Sequence, residues 1–197
     1  MNVVQRPAQR LVLRPLAAAD SAQVLTWRNS PEVAAFMYTD HVIGPQEHSA
    51  WLKATLGADD RRYWIIELDG AGVGVAHVVR IDPVNRRCEW GFYLADPATR
   101  GRGVGACVQY AVIEHVFTRL GLNKLWCEAL AANTRALDLY ESFGFRREAL
   151  LRDHVLKHGR FRDVVGLGLL AAEWAERRAA SAERLVAKGW DLEALVI

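Results

Sequence analysis

The sequence predicts an α+β fold: a central mixed, mostly antiparallel sheet flanked by helices, with an extra helix at the C-terminal end. Three observations carry this. Strand-type runs, YWIIEL and VGVAHVVR, flank an Asp69-Gly70 turn, the pattern of a β-hairpin. A glycine-rich turn then feeds a stripe of Val104, Val108, Ala111, Val112, Val116 and Leu120, which is helical spacing. After it come a short strand, a helix and a second hairpin, an order that places helices on the faces of one sheet.

Element by element, LVLRPL at 11–16 alternates apolar faces and reads as the first strand. Asp20 with Gln23 reads as a capping box for a helix carrying Val24, Leu25 and Trp27. Ser30-Pro31 restarts a short helix, and Gly44-Pro45 opens another through His48, Trp51 and Leu52. The hairpin at Tyr63–Arg80 and the strand Cys88–Leu94 precede the glycines at 101, 103 and 105. The helix after them ends near Gly121 and Lys124–Ala129 is a short strand. Asn133 caps a helix that stops at Gly144, and a hairpin at roughly 147–157 and 161–170 turns at His158-Gly159. Residues 10–170 form the predicted domain. Residues 171–197 are an amphipathic helical extension that packs on the sheet or on a second subunit of a homodimer; the sequence leaves both open.

With 197 residues, half of them hydrophobic, and a net charge of +2, the chain fits a globular domain with no broad nucleic-acid footprint. No apolar run is long enough for a membrane span, and the first residues lack a signal-peptide core. Cys88, Cys107 and Cys127 form no CxxC pair, which points to a reduced, cytoplasmic setting. No metal is expected. His154 and His158 lack the intervening glutamate of a zinc-protease helix and fall on a hairpin, where solvated histidines are the ordinary outcome.

The chemistry concentrates in CEWGFYLADPATRGRGVGA, residues 88–106. A glycine turn opening a helix leaves backbone N–H groups unpaired at the positive end of the helix dipole, a seat for a pyrophosphate. A Walker loop would need Gly-Lys-Ser/Thr where Gly105 is followed by Ala106 and Cys107, and the dinucleotide fingerprint would need a glycine at 106.

Arg100-x-x-Gly103-x-Gly105 instead resembles the acetyl-CoA loop of the GNAT N-acetyltransferases, Gln/Arg-x-x-Gly-x-Gly/Ala. Asn133-x-x-Ala136-x-x-x-Tyr140-x-x-x-Gly144-Phe145 follows at the spacing of that family, and the match covers about residues 10–170. The resemblance implies the GNAT fold, acetyl-CoA as acetyl donor, and direct transfer to a small-molecule amine. It implies coenzyme contacts from Phe92, Tyr93, Leu94, Arg100, Gly101, Arg102, Gly103, Val104, Gly105, Ala106, Asn133 and Tyr140. A backbone N–H at the end of Gly91–Leu94 would serve the carbonyl oxygen. Tyr140 is the expected proton donor to the leaving thiolate, and Glu128 the candidate base acting through a water.

Within the family, Trp27-Arg28-Asn29, Phe36-Met37-Tyr38, Gln46–Trp51 and Glu89-Trp90-Gly91 resemble the sugar-nucleotide N-acetyltransferases of pseudaminic acid synthesis, on the route to flagellin glycosylation. Those enzymes acetylate the 4-amino group of a UDP-linked 4-amino-4,6-dideoxy sugar. On this reading Met37, Tyr38, Trp51 and Trp90 cover the sugar, and Arg28, His48 and Arg80 meet diphosphate oxygens. A polyamine acceptor would call for clustered carboxylates, whereas Glu32, Asp40 and Glu47 are scattered. The rivals are a ribosomal-protein or polyamine N-acetyltransferase and a non-catalytic acetyl-CoA-binding regulator.

Overall fold

The computed structural model describes residues 9–195 and 197. Seven strands form one sheet in the order β1-β2-β3-β4-β5-β7-β6, comprising β1 (Leu11–Pro15), β2 (Arg62–Leu68), β3 (Ala71–Asp82), β4 (Arg87–Leu94), β5 (Lys124–Leu130), β6 (Arg146–Lys157) and β7 (Arg160–Leu170). Every neighbouring pair is antiparallel except β4 and β5. Six helices accompany the sheet among the described residues: α1 (Ser21–Asn29), α2 (Pro31–Ala34), α3 (Pro45–Leu56), α4 (Val104–Glu114), α5 (Thr134–Ser142) and α6 (Ala171–Val186). The α+β fold expected from the pattern of periods is the fold observed.

Alternation along the strands sends side chains to two different cores. Ile65 and Val75 meet Leu16, Val24 and Leu52 beneath α1 and α3. Trp64, Ile66, Ala76, Val78, Cys88 and Trp90 point the other way, into the larger core with α4, α5 and α6. All three cysteines are buried and free. α6 is docked on α4: Trp174 Nε1 and Arg178 both donate to Glu114 at 2.6 Å, and the Trp174 ring meets Tyr110 edge-on.

One local expectation is corrected. The Asp20 side chain does not cap α1 and no capping box forms with Gln23. Its carboxylate instead accepts the Ala17 N–H at 2.8 Å, closing the short 3₁₀ turn before the helix, and takes the Arg14 guanidinium at 2.8 Å. A fixed cation held against β1 and Glu67 is a stronger partner for the carboxylate than the helix's own N–H groups. Asn133 does cap α5, accepting from Ala136 N at 3.3 Å.

The feature that makes a site is the parallel pairing of β4 with β5, the one such pair among the seven strands described. β4 and β5 are in register only at Arg87↔Lys124, Cys88↔Leu125 and Glu89↔Trp126. Beyond that point the strands part, while β4 stays paired to β3 and β5 to β7. The edge of β4 from Trp90 to Leu94 that faces β5 is thereby left without a strand partner. An unpaired strand edge is a template for an extended ligand.

Candidate active site

The parting of β4 and β5 opens a cleft of about 860 Å³, which runs from the glycine loop past Tyr140 to α1 and the segment after α2. That lies toward the upper end of the range for small-molecule and cofactor sites.

At one end lies the loop. Gly101 and Gly103 take positive φ values of 76° and 79°, turning the chain into α4. Among the described residues, no hydrogen bond takes the N–H of Gly103, Val104, Gly105 or Ala106; the Arg102 amide before them is bonded to Thr99 O and the Cys107 amide after them to Gly103 O. Four free donors at a helix N-terminus make an anion seat. A Cβ on Gly105 would press on Phe92 and Leu139 at 3.3 and 3.4 Å, so the groove beside it narrows with any larger residue. Phe92, Tyr93, Leu94, Arg100, Gly101, Gly103, Val104, Gly105, Ala106, Asn133 and Tyr140 all line the cleft. Arg102 does not. Its guanidinium turns away to Gln9 at 3.0 Å and Asp69 at 3.3 Å, because two acceptors lie behind the loop.

Midway stands Tyr140, on the cleft wall and framed by the rings of Trp90 (5.4 Å) and Phe145 (5.8 Å). Its hydroxyl makes no hydrogen bond among the described residues and faces the cleft with Cys127 as neighbour. Burial raises the Tyr140 pKa, so it stays protonated, and burial also holds the Cys127 thiol well above its usual range. Cys127 is consequently no thiolate nucleophile. Glu128, at the far end of β5, accepts the Tyr38 hydroxyl at 2.9 Å and Trp126 Nε1 at 3.3 Å.

The geometry so far is a split sheet with an amide-lined glycine turn and a tyrosine at the split. The family model described as the acetyltransferase (GNAT) domain matches residues 10–146 of this chain. The chain belongs to the GNAT acetyltransferase family. It is an N-acetyltransferase that draws on acetyl-CoA.

Relatives of two kinds surround this acetyltransferase. Spermidine N(1)-acetyltransferase of Escherichia coli K12 is 25% identical over 158 residues, covering 80% of this chain and 84% of the relative. Acetyltransferase PseH of Campylobacter jejuni is 31% identical over 122 residues, covering 62% of this chain and 74% of the relative. Among solved structures, the spermidine N-acetyltransferase of Vibrio cholerae in complex with CoA and spermine superposes with a TM-score of 0.79 at 21% identity, covering 84% of this chain and 98% of that one. At that identity the likeness speaks to the fold.

The end of the cleft away from the glycine loop is lined by Arg28, Glu32, Phe36, Met37, Tyr38, Trp51, Tyr63 and His77. Arg28 is partly buried, which lowers its pKa, yet it has no carboxylate partner among the described residues; its one hydrogen bond is to Thr39 Oγ1 at 3.3 Å. The Tyr93 hydroxyl beside it is buried and unpartnered. His77 stacks on Tyr63 at 5.0 Å, and burial with the nearby Arg28 charge pushes its pKa down to about 4, so the imidazole is neutral. Two expected acceptor contacts lie elsewhere. His48 is buried against Trp51, with Nε2 unpartnered, outside the cleft lining. Arg80 is exposed and bonds Glu89 at 2.8 Å, a pairing that draws its guanidinium out of the cleft. Trp90 lines the cleft but is a core residue, stacked on Phe92 at 5.6 Å.

The loop carrying Met37 and Tyr38 is fastened from far along the chain. Lys157, buried at the tip of the β6–β7 hairpin, donates through Nζ to the carbonyls of Ala34 (3.0 Å), Met37 (2.8 Å) and Thr39 (3.1 Å). Next to it His158 bonds Asp40 through both its backbone N–H (2.8 Å) and Nδ1 (2.9 Å). Sequence reasoning missed Lys157 and His77. His77 had a signal, a polar residue inside VGVAHVVR; Lys157 had none.

Proposed function

We propose that this acetyltransferase acetylates the 4-amino group of a UDP-linked 4-amino-4,6-dideoxy sugar, a step of pseudaminic acid synthesis. The observation that carries the reading is Arg28: a partly buried guanidinium, unpaired among the described residues, in the acceptor end of the cleft. A desolvated cation without a counter-ion favours a ligand that brings negative charge, as a nucleotide diphosphate does and a polyamine does not. The unpartnered Tyr93 hydroxyl and neutral His77 add hydrogen-bonding capacity beside it, and Phe36, Met37, Trp51 and Tyr63 offer apolar surface to a deoxysugar. The PseH relative at 31% identity supports the same choice.

Bound acetyl-CoA supplies an acetyl thioester activated for attack by an amine. The residues proposed to hold it are the free amides of Gly103–Ala106 for the pyrophosphate, the open edge of β4 for the extended arm, and Asn133 and Tyr140 along α5. Glu128, its two oxygens already ordered by Tyr38 and Trp126, takes the amine proton through a water. Tyr140 gives its hydroxyl proton to the departing sulfur. The burial that keeps the proton on Tyr140 equally raises the proton affinity of a thiolate formed beside it, as it does for Cys127. The transfer is therefore between groups shifted in the same direction.

A polyamine acceptor is the second reading. It is favoured by the spermidine acetyltransferase relatives and by Glu32, which lines the cleft without an ion pair among the described residues. Glu89 and Glu128, the other carboxylates on that side, are already engaged by Arg80 and by Tyr38 with Trp126. The test is release of free thiol from acetyl-CoA with UDP-4-amino-4,6-dideoxy-N-acetylaltrosamine, spermidine or a ribosomal N-terminal peptide as acceptor. The sugar nucleotide is expected to turn over fastest, and Arg28→Ala to lower kcat/KM for it by roughly 100-fold. Faster turnover of spermidine, unaffected by Arg28→Ala, overturns the sugar reading.

A further inference from the structure

We infer that the segment after α6 is part of the coenzyme site, with Lys188 as a phosphate-binding residue and Trp190 as the brace behind the glycine loop. This rests on the acetyl-CoA reading of the cleft, but concerns residues well beyond the 10–146 span of the family match.

α6 ends at Val186 and the chain reverses through Gly189 at a φ of 86°, with Trp190 N returning to Leu185 O at 3.2 Å. The reversal carries the Trp190 indole into the core, where it is 2% exposed. Its Nε1 has no hydrogen-bond partner and lies 3.1 Å from where a Cβ on Gly103 would stand. A buried indole N–H is thus aimed at the back of the turn whose amides face the cleft. An unanswered donor there costs stability, and it adds its positive end to the field of the four free amides in front.

The brace is tied on its other side. Trp190 bridges to the backbone of Gln9, and the Gln9 side chain accepts from Arg102 of the loop at 3.0 Å. Leu192 and Leu195 pack on the main core. A segment held at both ends fixes what lies on it, and Lys188 lies on the side that lines the cleft.

Lys188 is exposed and its side chain makes no hydrogen bond or ion pair among the described residues; the same holds for the side chains of Arg100 and Arg135, which line the cleft with it. The acid nearest in sequence to the loop, Asp96, is occupied in capping the 3₁₀ turn through Ala98 N at 2.8 Å. Three uncompensated cations around a row of free amides suit a ligand carrying several phosphate charges, which coenzyme A has in its pyrophosphate and 3′-phosphate.

The experiment is calorimetric titration of the full chain with coenzyme A and with 3′-dephospho-coenzyme A. Wild type is compared with Lys188→Glu and Lys188→Arg, and melting temperatures serve as the folding control. Lys188→Glu is expected to weaken coenzyme A by roughly tenfold or more and Lys188→Arg to hold it within about twofold, with unliganded melting temperatures unchanged. A loss that disappears with the dephospho ligand assigns Lys188 to the 3′-phosphate, and an equal loss with both assigns it to the pyrophosphate. Wild-type binding with an undiminished affinity in Lys188→Glu overturns the inference. No binding by wild type overturns the coenzyme reading itself.

Discussion

The two ends of the cleft are built by different means. At the end proposed for the coenzyme the available groups are backbone amides, and their placement follows from local chemistry: a positive-φ glycine turn, a helix start, and a strand released from its neighbour. At the end proposed for the acceptor they are side chains held by long-range contacts, with Lys157 gripping carbonyls about residue 37, Tyr38 reaching Glu128, and His77 stacked on Tyr63. The first arrangement is robust and general. The second can be re-cut by single substitutions, which suits its proposed task of choosing the amine.

The contrast can be broken at several points. Tyr140→Phe should lower kcat by roughly 100-fold or more, the range of a lost acid catalyst, while the Kd for coenzyme A moves less than about twofold. A large loss of affinity in the titration would instead make Tyr140 a binding residue. Lys157→Met leaves three carbonyls without their shared donor and should cost about 3 kcal/mol in chemical denaturation. In the same variant acceptor KM should rise while the Kd for coenzyme A holds; equal damage to both ends would show that they are not separable.

A smaller effect is expected at Gly103→Ala. The residue would carry a Cβ at a φ of 79° against the Trp190 ring edge, a strain of about 1–2 kcal/mol. Coenzyme A affinity should fall several-fold with acceptor KM unchanged, read by calorimetry and initial rates. A last effect, of similar size, concerns pH. His77 is neutral in the fold down to about 4, but protonates near its ordinary value when unfolded. The unfolded chain therefore binds more protons in that window, so this contribution is complete above about 6.5 and is lost as pH falls toward 4. The slope is at most about 1.4 kcal/mol per pH unit, and His77→Gln should flatten it in denaturation midpoints measured at pH 7 and 5.

How much was legible in the sequence divides along the same line. Asn133 capping α5, the hairpin turns at Asp69-Gly70 and His158-Gly159, and the glycine loop were readable because each is decided by residues within a few positions. Asp20 misled because its best partner, Arg14, sits on the preceding strand. His48 and Arg80 were placed by residue type alone. Nothing local says that the histidine turns into the core beneath Trp51 or that the arginine is drawn to Glu89. Lys157 could not have been found at all, since its acceptors lie 118 to 123 residues away and are backbone oxygens, which leave no trace in composition.

That separation also orders events as the chain is made. The glycine turn, β4 and α5 are nearly contiguous, from Arg87 to Ser142, and all have been synthesised before residue 157 is added. The segment at 34–40 has by then been waiting for its fastening since early in synthesis, and β5 has been waiting for β7 to cover its outer edge. Contacts of such long sequence separation close last and close slowly. A chain clipped after α5 thus carries the glycine turn and its amides but lacks both the segment after α6 proposed to brace them and the hold of Lys157 on residues 34–39.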